Sequence, residues 1–162
     1  MENKIIKTLN ELKDLVEDLK KQNKKIVTTN GVFDIIHIGH IRYLKEAKKF
    51  GDVLIVGINS DASVKRIKDP RRPLYGENDR AEALAELGCV DYVIIFNEDT
   101  PIIFLGAIKP NVHVKGGDYN MNQIIEKDVV EANNGEVKLI PEIAGYSTTN
   151  LIKEIIDLYK DK

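Results

Sequence analysis

"TTNGVFDIIHIGHIRYL", residues 28–44, joins a β-branched run to a segment with helical spacing, and its reading decides the fold. Lys25–Asn30 ("KIVTTN") has strand composition, while "GHIRYLKEAKKFG" (39–51) repeats apolar residues at helical intervals, so the stretch reads as strand, loop, helix. The same alternation continues downstream. Strands are expected at 52–59, 91–96, 111–116 and 136–140, and helices at 60–68, 77–88, 100–108, 122–134 and from Ser147 onward. Five strands alternating with helices predict an α/β, Rossmann-like fold. Its five-stranded parallel sheet carries helices on both faces, because parallel strands need crossovers and those are right-handed.

Upstream, Ile5, Ile6, Leu9, Leu12, Val16 and Leu19 recur three or four apart, which predicts an amphipathic helix over residues 1–23 ahead of the main domain at 24–162. That stripe must be covered, either by the flank of its own domain or by a copy of itself, and a homodimer is the preferred expectation.

Composition narrows the function classes. The chain has 162 residues, 43% hydrophobic and 31% charged, enough for one folded domain that buries roughly 70% of its unfolded surface. A net charge of -2 gives no general attraction to nucleic acid or to an anionic membrane, so any phosphate binding must be local. Cys89 is the single cysteine and sits in apolar "ELGCVDYV", which suits a structural thiol in a reducing cytoplasm. No apolar run approaches the roughly 18 residues of a membrane span, and the N-terminus lacks a signal-type apolar core.

In such folds a ligand lies beyond the carboxyl ends of the strands, and the first strand-to-helix loop faces it. Gly31 permits a tight turn there, and Gly39 lets a ligand approach the backbone at the helix start. His37 and His40, three apart, project from one side of a positive helix end and form a phosphate clamp. His113, alone in a strand, reads as a core histidine. A dinucleotide-binding chain would carry G-x-G-x-x-G here; this one has "GVFDIIHIGH". The one long loop, "KDPRRPLYGEN" (68–78), is a candidate lid.

"GVFDIIHIGH" resembles the G-x-F-D-x-x-H-x-G-H signature of the cytidylyltransferase-like nucleotidyltransferases. The likeness extends through "GINSDASVKRIKDPRRP", "ENDRAEALAEL", "VDYVIIFNEDTP", "IKPNVHVKGGDY" and "GYSTTNLI", nearly everything from Lys25 onward. Within that family the blocks are most similar to bacterial D-glycero-β-D-manno-heptose 1-phosphate adenylyltransferases. Many of these are fused behind a kinase domain, and a stand-alone transferase is expected here.

The resemblance implies transfer of AMP from ATP to a sugar 1-phosphate, with Mg²⁺ on the triphosphate and no metal site built from protein ligands. It makes His37, His40 and Lys68 the catalytic residues. Gly31, Phe33, Gly39, Gly116, Gly117, Asp118, Ser147, Thr148 and Thr149 bind the nucleotide, and Asp34, Asp61, Lys65 and Arg80 face the second substrate. Plainer readings stand beside several of these. Lys65 would be a solvated helix end, Arg80 a surface partner of Glu77, Ser147 a simple helix cap, and Gly116–Gly117 a turn. Asp34 would hold either the loop or the substrate. Glu142 stands where cytidylyltransferases carry an arginine before "STT", which speaks against cytidine; ATP is what the resemblance implies, and CTP or another triphosphate stays open. The alternatives are a relative acting on glycerol 3-phosphate, another alcohol phosphate or flavin mononucleotide, and a nucleotide-binding regulatory domain without catalysis.

Overall fold

Thr8 begins the first helix, and it does so by a rule visible in "TLNE". Its hydroxyl accepts the N–H of Glu11 at 3.2 Å while the Glu11 carboxylate accepts the N–H of Thr8 at 3.2 Å, a reciprocal capping box. In this computed structural model, which describes residues 4–117, 123–141 and 145–160, helix α1 therefore spans Leu9–Lys21. The expected helix does not reach back to Ile5. Ile5–Ile6 instead forms a short strand, β1, paired parallel with β4 (Tyr92–Phe96).

The sheet consequently has six strands rather than five. The remaining strands are β2 (Ile26–Gly31), β3 (Val53–Asn59), β5 (Val112–Gly116) and β6 (Glu136–Ile140), and the order is β1-β4-β3-β2-β5-β6, parallel throughout. All seven residues of β3 are buried, as expected of a central strand covered on both faces.

Helices α2 (Ile38–Lys48) and α4 (Glu77–Ala85) cover one face with Leu44, Ala47, Ala81 and Leu84, packed on Val27, Leu54, Val56 and Val112. α1, α5 (Ile102–Ile108) and α6 (Lys127–Glu131) cover the other with Leu12, Val16, Phe104, Leu105 and Val130, packed on Ile26, Ile55 and Val137. α6 is shorter than the helix expected at 122–134. The α1 stripe is thus buried in the protein's own core, with Leu12 0% and Val16 2% exposed, so it is not the surface on which a copy would dock.

α3 (Asp61–Ile67) follows β3, and α7 (Thr148–Tyr159) closes the chain. Chain order runs from β2 outward to β3 and β4 on one side and continues with β5 and β6 on the other. The reversal lies between β2 and β5, which opens a crevice above their carboxyl ends. Among the described residues no helix is long and apolar enough to cross a membrane.

Candidate active site

β2 delivers the chain into the crevice at Gly31, and the next residues turn back sharply. Phe33 adopts φ +48°, the left-handed region that costs a non-glycine residue roughly 1–2 kcal/mol. Its ring folds over Gly31, where a β-carbon would lie 2.9 Å from Phe33 Cε2. The chain re-enters helix at His37, an extended N-cap residue, with His40 on the first turn of α2. The two imidazoles stack, centroids 3.9 Å apart and planes 28° from parallel, and the His40 ring also lies 5.3 Å from that of Phe33.

The backbone N–H of His37 donates to Nδ1 of His40 at 3.4 Å. That leaves the His40 proton on Nε2, available as a donor. Burial pushes the His40 imidazole down to about 4, with the neighbouring His37 adding to the effect, and burial lowers His37 as well. At neutral pH the pair is uncharged, so it offers N–H donors rather than two full positive charges. Nδ1 of His37 is buried with no hydrogen-bond partner among the described residues.

A cavity of about 840 Å³ occupies the crevice. It collects most of the residues singled out from the sequence: His37, His40 and Lys68; Gly31, Phe33 and Gly39; Gly116 and Gly117; Ser147 and Thr148. Ser147 caps α7, its hydroxyl accepting the N–H of Asn150 at 3.1 Å. Gly39 and Gly116 are small for a different reason than ligand access. A β-carbon at residue 39 would lie 2.8 Å from Tyr146 Cβ and 2.9 Å from the His37 ring, and one at residue 116 would lie 2.9 Å from the Tyr43 ring. Protein side chains fill both spaces.

Other expected residues lie outside the cavity. Thr149 and Lys65 are exposed and do not line it. Asp34 is 4% exposed, and both its oxygens are taken: Oδ1 accepts the N–H groups of Leu74 and Tyr75 at 2.8 and 3.1 Å, and Oδ2 accepts Arg72 Nε at 3.2 Å. It holds the 68–78 loop. Arg80 is 1% exposed and donates to the carbonyls of Tyr75, Val32 and Asn59 and to the Asp61 carboxylate. Its partner is Asp61, not Glu77, whose carboxylate instead accepts the N–H of Asp61 at 2.7 Å. Asp118 and Glu142 lie outside the described residues.

The wall also includes residues that no motif marks, Tyr43, Lys115, Asn30 and Glu126 among them. Tyr43 exchanges a 2.6 Å hydrogen bond with Thr29 Oγ1 and donates to the Val114 carbonyl at 3.0 Å, and burial raises its phenol. Lys115 donates to Asn30 Oδ1 at 3.3 Å and to Glu126 Oε1 at 2.7 Å. The glycines after Lys115 were visible in the sequence, but nothing there marked the lysine itself. His113, just below, is fully buried, with its Nδ1 2.9 Å from Thr28 Oγ1. Among the described residues no three His, Cys, Asp or Glu side chains are grouped to hold a metal ion.

The cytidylyltransferase-like family model matches residues 28–154, from β2 into α7. The chain belongs to the cytidylyltransferase-like family. It is 50% identical over 157 residues to the bifunctional protein HldE of Geobacter metallireducens, covering 97% of this chain and 32% of that one. With the HldE protein of Aliarcobacter butzleri it shares 49% over 153 residues, 94% of this chain and 31% of the relative. The chain spans about a third of the length of the curated relatives it matches. Among solved structures it resembles a lipopolysaccharide core biosynthesis protein from Thermoplasma volcanium, with 31% identity and a TM-score of 0.62, covering 74% of this chain and 97% of that one. A pantoate-beta-alanine ligase from Francisella tularensis shares the fold, with a TM-score of 0.63 at 18% identity over 98% of this chain and 79% of the other. The family assignment makes the chain a nucleotidyltransferase.

Proposed function

We propose that the protein transfers AMP from ATP to D-glycero-β-D-manno-heptose 1-phosphate, giving an ADP-sugar and pyrophosphate in the cytoplasm. The observation that carries this reading is the stacked His37–His40 pair sharing one cavity with Lys68 and the capped start of α7. Its near-half identity to the HldE proteins and its likeness to a lipopolysaccharide core biosynthesis protein point to the sugar.

A phosphate oxygen of the sugar 1-phosphate attacks the α-phosphorus in line. The new P–O bond forms as the bond to the β-phosphate oxygen breaks, and pyrophosphate leaves with that electron pair. The nucleophile is already an anion at neutral pH, so no base is needed, and the work is to hold two anions together. His37 and His40, kept neutral by burial, donate N–H groups to oxygens of the α- and β-phosphates as charge shifts towards the leaving group. Lys68 offsets the repulsion between the substrates. The free N–H groups at the start of α7 receive the distal phosphates.

Mg²⁺ would neutralise charge on the departing pyrophosphate. The acidic side chains of the described wall, Asp99 and Glu126, each balance the charge of a neighbouring cation, Arg66 and Lys115, so the negative charge that attracts Mg²⁺ would come from the phosphates.

The test pairs ATP and CTP with heptose 1-phosphate, glycerol 3-phosphate and flavin mononucleotide, scoring pyrophosphate release. Release with ATP and the heptose phosphate is expected. Release confined to another acceptor overturns the substrate, and nucleotide binding without release in any pairing overturns the catalysis.

A further inference from the structure

Lys115 and Glu126 form a buried ion pair in the crevice wall that the transfer chemistry leaves unused. The lysine side chain is 19% exposed and that of Glu126 5%. Asn30 and Lys115 come from the ends of β2 and β5, the two strands that flank the reversal of strand order, so this group sits where the fold places a ligand. The corner has a definite polarity. An ammonium has three N–H donors, and two of those on Lys115 are committed, to Asn30 and Glu126. Oε2 of Glu126 has no hydrogen-bond partner among the described residues, while Oε1 is taken. The corner therefore offers one donor and one acceptor side by side with no net charge. Beside them Ile125 lines the same cavity and is 56% exposed.

A neutral corner with an apolar face does not suit a phosphate, and the phosphates already have the histidines, Lys68 and the α7 start. It suits a flat heteroaromatic base: ring face against Ile125, polar edge against the ion pair. We infer that Lys115 and Glu126 read the base of the nucleotide, Glu126 accepting an N–H of the 6-amino group of adenine and Lys115 donating to ring nitrogen N1. Asn30 holds the lysine in place. This rests on the proposed use of ATP and says how that nucleotide is chosen. A 6-keto purine would turn an oxygen towards the carboxylate and leave a buried acceptor unsatisfied, the arrangement that discriminates most strongly.

The test is triphosphate binding at equilibrium, without sugar phosphate, on the full chain. In the parent, ITP and 1-deaza-ATP should each bind about tenfold or more weaker than ATP, the effect of one lost hydrogen bond at a buried site, while 7-deaza-ATP should bind like ATP. Glu126→Gln replaces the lone acceptor with an amide that can also donate, so the ITP penalty should shrink to within about threefold. Lys115→Met should abolish the 1-deaza-ATP penalty. A parent that binds ITP and 1-deaza-ATP as it binds ATP overturns the inference, as do penalties that persist unchanged in both variants. Should either variant fail to fold, the analogue series on the parent decides. If the binding order is as expected but no acceptor yields pyrophosphate, the proposed reaction fails while the base site stands.

Discussion

The carboxylate of Asp34 accepts the backbone N–H of Leu74 at 2.8 Å, so one buried side chain joins the loop that carries the histidines to the segment between α3 and α4. Asp34→Ala would leave the Leu74 and Tyr75 N–H groups and the Arg72 guanidinium without their acceptor. A loss of about 1–3 kcal/mol in stability is expected, together with faster proteolysis within residues 68–76. Urea unfolding and limited digestion measure both. An unchanged digestion pattern would show that Asp34 does not hold this segment.

His37→Ala and His40→Ala should each lower turnover on the order of 10²–10³, as expected for a lost donor at developing charge, with triphosphate affinity changed far less. Steady-state kinetics beside direct nucleotide binding separate the two effects. Near-normal turnover in both variants removes the clamp.

Gly39→Ala separates positioning from folding. Alanine favours the helix by roughly 1 kcal/mol over glycine, which offsets part of the crowding against Tyr146 Cβ and the His37 ring. The melting temperature should stay near the parent's, while displacement of His37 lowers turnover on the order of 10². A fully active variant would show that the His37 ring need not lie where the structure has it.

Acidification should destabilise the protein through its histidines. Burial lowers His113 to about 3 and His40 to about 4, from an ordinary value of 6.5. Between those values and 6.5 the unfolded chain binds protons that the native state refuses, so unfolding free energy falls as pH drops through that window. Urea titrations at pH 7, 6 and 5 report it directly. A stability that holds level or rises on acidification contradicts the assignment.

Leu12→Glu with Val16→Glu places two charges in a core where the native side chains are 0% and 2% exposed. The expected result is unfolding rather than a change of oligomeric state, since even Leu→Ala at such a site costs about 2–5 kcal/mol. Circular dichroism run beside sedimentation distinguishes the two. A folded variant that merely sediments more slowly would place the stripe in an interface.

How far these features could be read in advance depended on the range of the interactions. The histidine pair, the Ser147 cap and the five long strands are local: spacing, a hydroxyl at a helix start, and runs of β-branched residues report them. β1 escaped because two isoleucines are too short to alternate, and their spacing continues the periodicity of α1. The Thr8–Glu11 box that marks the true start was present in the sequence all the same. Asp34 and Arg80 stand out in the sequence as charges, but which groups they hold is not legible there, because their partners lie 38–41 and 5–48 residues away. Lys115 and Glu126 are eleven apart across a loop, and no periodic pattern links such a pair.

β1 also guards the margin of the sheet. It is two residues long, yet it occupies the outer edge of β4, and Lys4 secures it: its carbonyl accepts the Val93 N–H at 2.9 Å, and its ammonium donates to the carbonyls of Ala85 and Val90 at 2.9 and 3.0 Å. A bare β4 edge would present unpaired N–H and C=O groups to any other chain, the usual template for strand-to-strand aggregation. Removing residues 1–6 would leave the crevice and the Thr8 cap of α1 in place, and its first symptom would be self-association in concentrated solution rather than failed catalysis.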